Sequence, residues 1–563
     1  VDASRTVVTN GPSPAPVTTV RDASTPVGAA EGSDPGRTAY AARMRSATGG
    51  MVVASFVSRI LGFVRLALLI VAVGGTSASV GGQVFEVANS APTYLYGLIA
   101  GGVLGAVLVP QMVRARADGP EGVRTLERLL TVCLGGAALL TAACTLAAPL
   151  IVGLYAGGWS ADWALLATQM AYWCLPQIFF YIVFAVFSQL LNSAEKYGPG
   201  AWAPACANVI SVLGIAVFLL IHPEAASTPA DEWTPEMVAL LCGTATTAIV
   251  VQGVIAVAFS RSVGVRLRPR FGVAGLGGVS RDAVWVFLGA LVAEVSYIVV
   301  SNAATAAGQA MNRAGVDGPS LNSFSSAQLL LLLPHGILVV SVATAMFTPL
   351  SRDLHRGDRA AAAVNLRRTE DAVLAVTLLA TLLFVAAAPL LTQLVFGTPV
   401  IGGVLQLLAL SLVGFSQTYV LNRAMFALGR ARDSLATQVV SAVGVAVGAL
   451  VGGLLLPAEL VVPAIAGGTA LGTTAAWALA HRLVRRRIGV VPQPTRDRRA
   501  ALVAALVTAC ASVPLGLLLA VPADRLAAGA VLLPVGLAIT ALFVVVHRVV
   551  GGRWLWSLVL APL

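Results

Sequence analysis

Charge is what this 563-residue chain has least of. Asp, Glu, Lys and Arg together make up 11% of it, about half the share found in ordinary soluble domains. That excludes a soluble enzyme as the default, and also a disordered chain, which stays solvated through its charge. Lysine is nearly missing: of 36 basic residues all but Lys196 are Arg, which reads as the codon usage of a GC-rich genome and not as function. Cysteine is sparse. Cys133, Cys144, Cys174, Cys206, Cys242 and Cys510 each lie inside an apolar run, with no CxxC and no histidine at ligand spacing. Disulfides and zinc are therefore not expected, and the six read as small buried core residues. His222, His335, His355, His481 and His547 fall mostly near the ends of apolar runs and receive no chemistry. No P-loop, nucleophile elbow or metal signature occurs, which excludes an ATPase or a membrane-embedded hydrolase by motif. The expectation is a non-enzyme without a cofactor.

What the chain has in quantity is apolar sequence: 57% of residues and a mean hydropathy of +0.86. Fourteen apolar segments follow one another between residues 50 and 547, each about the 20 residues that cross a bilayer. The 56 glycines fit close helix packing in lipid. The net charge of +11 would suggest nucleic acid in a soluble protein. Here its distribution points elsewhere, and no nucleic-acid partner is expected. With the N-terminus in the cytoplasm, 31 of the 36 basic residues fall on inside segments, and only Arg313 and Arg525 outside. Arg59, Arg65 and Arg423 lie within spans. Such asymmetry is the positive-inside rule, and a wrong span count would scramble it. The sequence thus predicts an all-α polytopic membrane protein of about 14 transmembrane helices with both termini cytoplasmic. It divides into a disordered tail (1–46), an N-lobe (47–262), an interlobe linker (263–282), a C-lobe (283–484), a basic loop with the last two spans (485–549) and a second tail (550–563).

The two lobes look like a repeat. Pro92 and the VLVP of 107–110 in span two match Pro334 and the MFTP of 346–349 in span eight, and Glu127 and Glu370 follow in turn. Pro110 and Pro349 are 239 residues apart, about six spans. Repeated halves with helices broken by Pro and Gly are a transporter layout. An ionisable residue at bilayer depth costs about 2.5–3.5 kcal/mol or more and needs a partner or a wet cavity. Arg65 lies 14 residues past Met51, roughly 21 Å along a helix and too deep to snorkel, while Arg59 sits nearer the inner surface. Glu86, Asn89, Thr93 and Tyr96 form one polar stripe on span two. Glu294, Tyr297, Ser301 and Thr305 repeat it on span seven. The stripes suggest a shared wet cavity, with Glu86 also a candidate counter-ion for Arg65. Gln328 in span eight and Arg423 in span ten complete the candidate substrate contacts. The plainer reading of each is hydrogen bonding between packed helices.

Several stretches then carry a resemblance. SRILGFVR (58–65), VFEVANSAPTYLYGLIAGGVLGAVLVP (84–110), LPQIFFY (175–181), LLNSAEKYGPGAWAP (190–204), LLPHGILVVSVATAMFTPLSR (332–352) and YVLNRAMFALGRARDS (419–434) resemble the MurJ/MviN family of lipid II flippases. The actinobacterial branch is the most similar. The resemblance implies the fold of the multidrug/oligosaccharidyl-lipid/polysaccharide exporters in the bacterial cytoplasmic membrane. It implies inner-to-outer transport of a polyprenyl-diphosphate-linked disaccharide-pentapeptide by alternating access, driven by membrane potential or an ion gradient. Membrane lipids and cell-wall synthesis proteins would be its partners. A cationic cavity would hold the diphosphate, and Arg59 and Arg65 match the family's first-span arginines. The chain also departs from the pattern. Tyr96 or Gly97 stands where arginine is common in span two, Gly101 where glutamate is, Gln83 where an acid is, and Gln328–Leu329 where an Asp-Arg pair is. Those losses keep three alternatives open: export of another polyprenyl-linked glycan, a drug or cation antiporter, and a non-transporting cell-wall scaffold.

Overall fold

The computed structural model describes residues 35–99, 119–263, 268–270, 281–489 and 495–552, together with Met112 and Gly272. Among these residues every regular element is helical. The first helices are α1 (Pro35–Val73), α2 (Val80–Ile99), α3 (Gly119–Leu146) and α4 (Ala148–Tyr155). Then come α5 (Ala161–Cys174), α6 (Gln177–Ser193), α7 (Tyr197–Ile221) and α8 (Pro235–Ser260). The second half opens with α9 (Arg281–Arg313), α10 (Leu321–Pro334), a single π-turn (His335–Val339) and α11 (Val340–His355). It continues with α12 (Arg359–Phe396), α13 (Val400–Ala409), α14 (Ser411–Ala427), α15 (Ala431–Leu455) and α16 (Ala458–Ile488). The last pair is α17 (Arg496–Leu518) and α18 (Arg525–Val549).

Among the described residues twelve helices or helix pairs are long and apolar enough to cross a bilayer, thirteen when the bent pair α13–α14 counts as one span. Helix α2, described up to Ile99, is outside that number. Leu139, Leu146, Leu220, Leu471, Leu518 and Leu526 each leave more than 70% of their surface uncovered, as lipid-facing leucines do. Cys206 and Cys510 are exposed too, Cys133 and Cys144 half-buried, and Cys174 and Cys242 buried. The expected six core cysteines are therefore only partly core, because a thiol is apolar enough to face lipid.

Several spans are broken, and proline explains two of the breaks. Span three breaks at Ala147, the cap of a second helix whose first turn holds Pro149. Span four breaks at Leu175–Pro176, where proline supplies no N–H. Its counterpart, span ten, breaks at Leu410 with a bend of 48°. Such paired breaks keep the two-lobe repeat visible in three dimensions. Helices α2 and α4–α8 pack on one another, α9–α16 do likewise, and α17 and α18 pack on α12. The tightest crossing is α15 on α16. A Cβ on Gly444 would sit 2.3 Å from the Gly472 Cα, and one on Gly468 2.6 Å from the Gly444 carbonyl. Only glycine lets those backbones meet.

The segment boundaries shift in three places. The expected tail over 1–46 lies outside the described residues up to 34. Residues 35–46 are helical, in keeping with their Ala, Arg and Met content. The expected basic loop from 485 begins later, because α16 continues through Arg485–Arg487 and stops at Gly489, which adopts the left-handed conformation. Of the expected linker, Arg270 is fixed: its Nε pairs with Glu127 at 2.8 Å and its N–H donates to Thr131 at 3.0 Å. Pro110, Gly101, Arg114, Arg116 and residues 553–563 lie outside the described residues. A charged knot ties α17 to α12 and α16. Asp371 accepts from Thr495 at 2.5 Å and faces Arg498 at 3.5 Å and Arg367 at 3.9 Å. Glu370 meets His481 at 3.2 Å.

Candidate transport site and interlobe seal

The predicted site residues divide among three places. Arg59 and Arg65 are six positions apart, about 240° around a helix, so they leave α1 in different directions.

Arg65 points into the N-lobe itself. It lines a cavity of about 110 Å³ with Asn89 and Thr93 of α2, Gln177 and Tyr181 of α6, Ser211 of α7 and Thr244 of α8. Gln177 donates to Asn89 at 3.2 Å and to Thr246 at 3.0 Å. Tyr96 stacks on Tyr181 with centroids 5.3 Å apart. Ser58 and Gly62, on the Arg65 face, pack on Asn208 of α7, whose amide donates to the Ser58 carbonyl at 2.9 Å. Among the described residues no carboxylate pairs with Arg65, so the expected Arg65–Glu86 counter-ion pair does not form.

Arg59 instead crosses to the C-lobe. Its Nη1 lies 2.5 Å from where a Cβ on Gly336 would be, which is why glycine occupies the π-turn there. The neighbouring His335 is buried. Its Nδ1 shares a hydrogen bond with the Ser416 hydroxyl at 3.0 Å, and its ring meets Tyr419 edge-on at 5.1 Å. Arg423 donates from Nη2 to the Tyr419 hydroxyl at 2.5 Å and lies over the Phe347 ring at 5.9 Å. Arginines from both lobes thus reach span eight, Arg59 at Gly336 and Arg423 at Phe347. His335 was not singled out in the sequence as a functional candidate. It sits in mid-span, and the Pro-His-Gly run around it is the only signal of the wide turn.

Glu86 does not line the Arg65 cavity. It accepts from Ser90 at 2.9 Å and lies within reach of Ser325 on α10, one helical turn before the half-buried Gln328. The span-two stripe is therefore split, Asn89 and Thr93 serving the N-lobe cavity and Glu86 the lobe interface. Tyr94 of α2 stacks on Tyr297 of α9 at 3.7 Å, and Tyr297 lies 5.9 Å from Tyr155. The Tyr155 hydroxyl donates to Glu294 in a short hydrogen bond. The two Glu-headed stripes do converge, with tyrosine between them.

Beyond Glu294 the lobes are sealed by hydrogen bonds. Ser301 donates to the Tyr155 carbonyl at 2.7 Å, and Asn302 to that of Leu154 at 2.6 Å. Gln309 and Ser160 bond twice, at 3.1 and 2.9 Å. Ser77 donates its N–H to Gly318 at 2.9 Å and its hydroxyl to Val316 at 2.9 Å, and accepts from the Gly318 N–H at 2.8 Å. Asn322 donates to Gly74 at 2.9 Å, and Gln83 to Ser77 at 3.0 Å. All of these lie at the end of the bundle holding loops 74–79, 156–160 and 314–320.

A sequence profile of the family described as Lipid II flippase MurJ matches residues 54–534. The "Probable lipid II flippase MurJ" of Rhizobium meliloti (strain 1021) is 26% identical over 377 residues, 64% of this chain and 66% of that protein, just under two-thirds. The protein of the same description from Rhizobium tropici is 25% identical over 413 residues, 71% of this chain and 73% of that one. A solved structure, "Lipid II flippase MurJ, inward closed conformation", superposes with a TM-score of 0.65 at 16% identity, covering 88% of this chain and 98% of that chain. A multidrug resistance MATE family transporter of the MOP superfamily, inward-facing, gives 0.58 at 14% identity, over 78% and 98%. These two likenesses establish the fold. With the profile spanning most of the chain, the protein belongs to the lipid II flippase MurJ family and is a multi-pass protein of the bacterial inner membrane.

Proposed function

We propose that this chain carries a polyprenyl-diphosphate-linked disaccharide-pentapeptide from the inner to the outer leaflet by alternating access. Arg59 and Arg423 take its diphosphate from opposite lobes. The observation that carries this reading is that both arginines bear on span eight, Arg59 at Gly336 and Arg423 at Phe347, with neither paired to a carboxylate among the described residues. Arginine suits the task because its planar fork matches phosphate oxygens two at a time. The arrangement also answers the missing span-two and span-eight arginines, since Arg423 supplies from span ten a cation that Leu329 cannot.

The charge asymmetry of the loops puts the sealed end outside and Arg59 and Arg423 in the inner half. A carrier closed outside, with its cations toward the inner leaflet, is in the state that loads. Binding the headgroup would neutralise both arginines and draw the lobes together at the inner end, and the outer hydrogen bonds would then be the ones to open. Arg65, facing the N-lobe cavity, would reinforce the positive potential at the site.

The test is flipping in proteoliposomes containing the purified full-length chain and lipid II, read by accessibility of the headgroup from outside. Arg59→Gln and Arg423→Gln should each cut the rate about tenfold or more, the loss of one charge-assisted contact. Rates within twofold of wild type for both would remove the diphosphate role. A polyprenyl diphosphate glycan without the pentapeptide, run in parallel, decides between lipid II and another lipid-linked cargo.

A further inference from the structure

We propose that Glu86 and Glu294, joined across the lobes by Tyr94, Tyr297 and Tyr155, form a proton-binding site that holds the outer seal shut. The inference deepens the alternating-access reading above and rests on it.

Two carboxylates stand here on opposite lobes, Glu86 on α2 and Glu294 on α9, with Glu294 buried. Among the described residues no ion pair reaches either. The titratable groups that face them are Tyr94 on α2, Tyr297 on α9 and Tyr155 on α4, with Cys144 of α3 behind Tyr155. Arg65 lines the N-lobe cavity with Asn89 and Thr93 and pairs with neither carboxylate. The Tyr297 hydroxyl lies close to Tyr94 and Ser90 yet is buried without a hydrogen bond of good geometry. The centre of the cluster therefore holds a polar group awaiting a partner.

Each ionised carboxylate at bilayer depth costs about 2.5–3.5 kcal/mol or more without a cation. Closing the seal removes water from both, so closure takes up a proton. A proton from the outer water adds to a carboxylate oxygen as the lobes close and returns to that water as they part; no other bond changes. The Tyr155 hydroxyl, which donates to Glu294, stabilises the second carboxylate in whichever form remains. Because the closed state binds more protons than the open one, acid outside favours the closed, inward-facing carrier. One proton changes the closed-to-open ratio by about tenfold per pH unit within the titrating window.

The experiment measures the distance between spin labels on exposed outer positions of the two lobes, Pro223 and Pro457. It uses the full chain in nanodiscs, with the native cysteines replaced. Wild type should show the short distance at pH 5.5 and a growing long-distance population toward pH 8.5. Glu86→Gln with Glu294→Gln should stay short at both, because neutral amides mimic the protonated pair. Each single substitution, which keeps one carboxylate, should reduce the pH response; the singles keep the test meaningful if the double variant fails to fold. A wild-type distance indifferent to pH overturns the proposal. So does a full pH response in a folded double variant, or a response to exchanging sodium for potassium at fixed pH in place of a response to pH. Lipid II flipping measured on the same samples separates failure of this proposal from failure of the carrier reading.

Discussion

Replacing Gly336 by alanine isolates the role of Arg59 without touching any charge. The new methyl would lie 2.5 Å from Arg59 Nη1, 3.2 Å from Cζ and 3.3 Å from Nη2. Ordinary contact needs about 3.5 Å, so the guanidinium must retreat by about 1 Å. An arginine tip does this by changing side-chain torsions, at about 0.5–1.5 kcal/mol. Alanine returns about 0.5–1 kcal/mol because it is less flexible than glycine in a helix. Folding stability should therefore stay within about 1 kcal/mol of wild type. Binding should not. A charge-assisted hydrogen bond tolerates only a few tenths of an ångström, and losing one contributes about 1.5–3 kcal/mol, a ten- to hundredfold weaker Kd. Titration of fluorescent lipid II against the chain in nanodiscs measures this directly, with thermal unfolding alongside. Gly403→Ala, which meets nothing within 4 Å, is the control and should change neither. On top of Arg59→Ala, Gly336→Ala should cost nothing further, since the two act through one contact. A folded Gly336→Ala variant that binds lipid II within twofold of wild type would refute the placement of Arg59 at the diphosphate.

Three further outcomes test other parts of the structure. Ser77→Ala removes two side-chain hydrogen bonds from the outer seal, about 1–3 kcal/mol together; modification of a cysteine placed at Thr76, which is buried in the same loop, by an impermeant reagent should speed up severalfold or more, and an unchanged rate would show that the seal does not open there. Gly444→Val drives a side chain into the Gly472 backbone, so the midpoint of thermal unfolding should fall with a loss of about 1–3 kcal/mol, whereas Gly467→Val, with open space around it, should be nearly silent. Asp371→Ala leaves buried Arg367 with Glu370 alone and Arg498 without the carboxylate it faces and should destabilise by about 1.5–3 kcal/mol; Asp371→Asn, which still accepts from Thr495, should lose less, and equal losses would assign the effect to packing.

The bilayer-crossing helices were legible because lipid imposes a one-dimensional rule: about 20 apolar residues per span, with arginine on one side. The six-span repeat was legible for the same reason, since Pro92 and Pro334 mark equivalent helices. Periodicity also identified the right polar residues. It could not say which neighbour each would meet. Glu86 and Asn89 are three positions apart and so lie about 60° from each other around the helix, enough for one to face α10 and the other the N-lobe cavity. The π-turn at His335 was not legible because an extra residue in a helical turn is fixed by what packs against it, here Arg59, Ser416 and Phe415. The seal was missed for a related reason: Ser77, Gly74 and Gly318 are loop residues of no distinctive pattern, and their partners lie more than 200 positions away.

The separation of charges inside the membrane has a consequence for transport. Had Glu86 paired with Arg65, that arginine would already be neutralised, and a diphosphate would have to displace a carboxylate to use it. At contact distance and an effective dielectric near 20 such a pair holds about 4 kcal/mol, enough to slow every cycle. The chain instead leaves the two unpaired, with Asn89 and Thr93 lining the Arg65 cavity and Glu86 hydrogen-bonded to Ser90. On the readings proposed above, the arginines would then keep their charge for a phosphate and the carboxylates theirs for a proton. Because α2 belongs to the N-lobe and bears on α9 of the C-lobe, a movement of the lobes acts on both sets at once. Substrate and proton can thus be coupled through the same helix without ever touching.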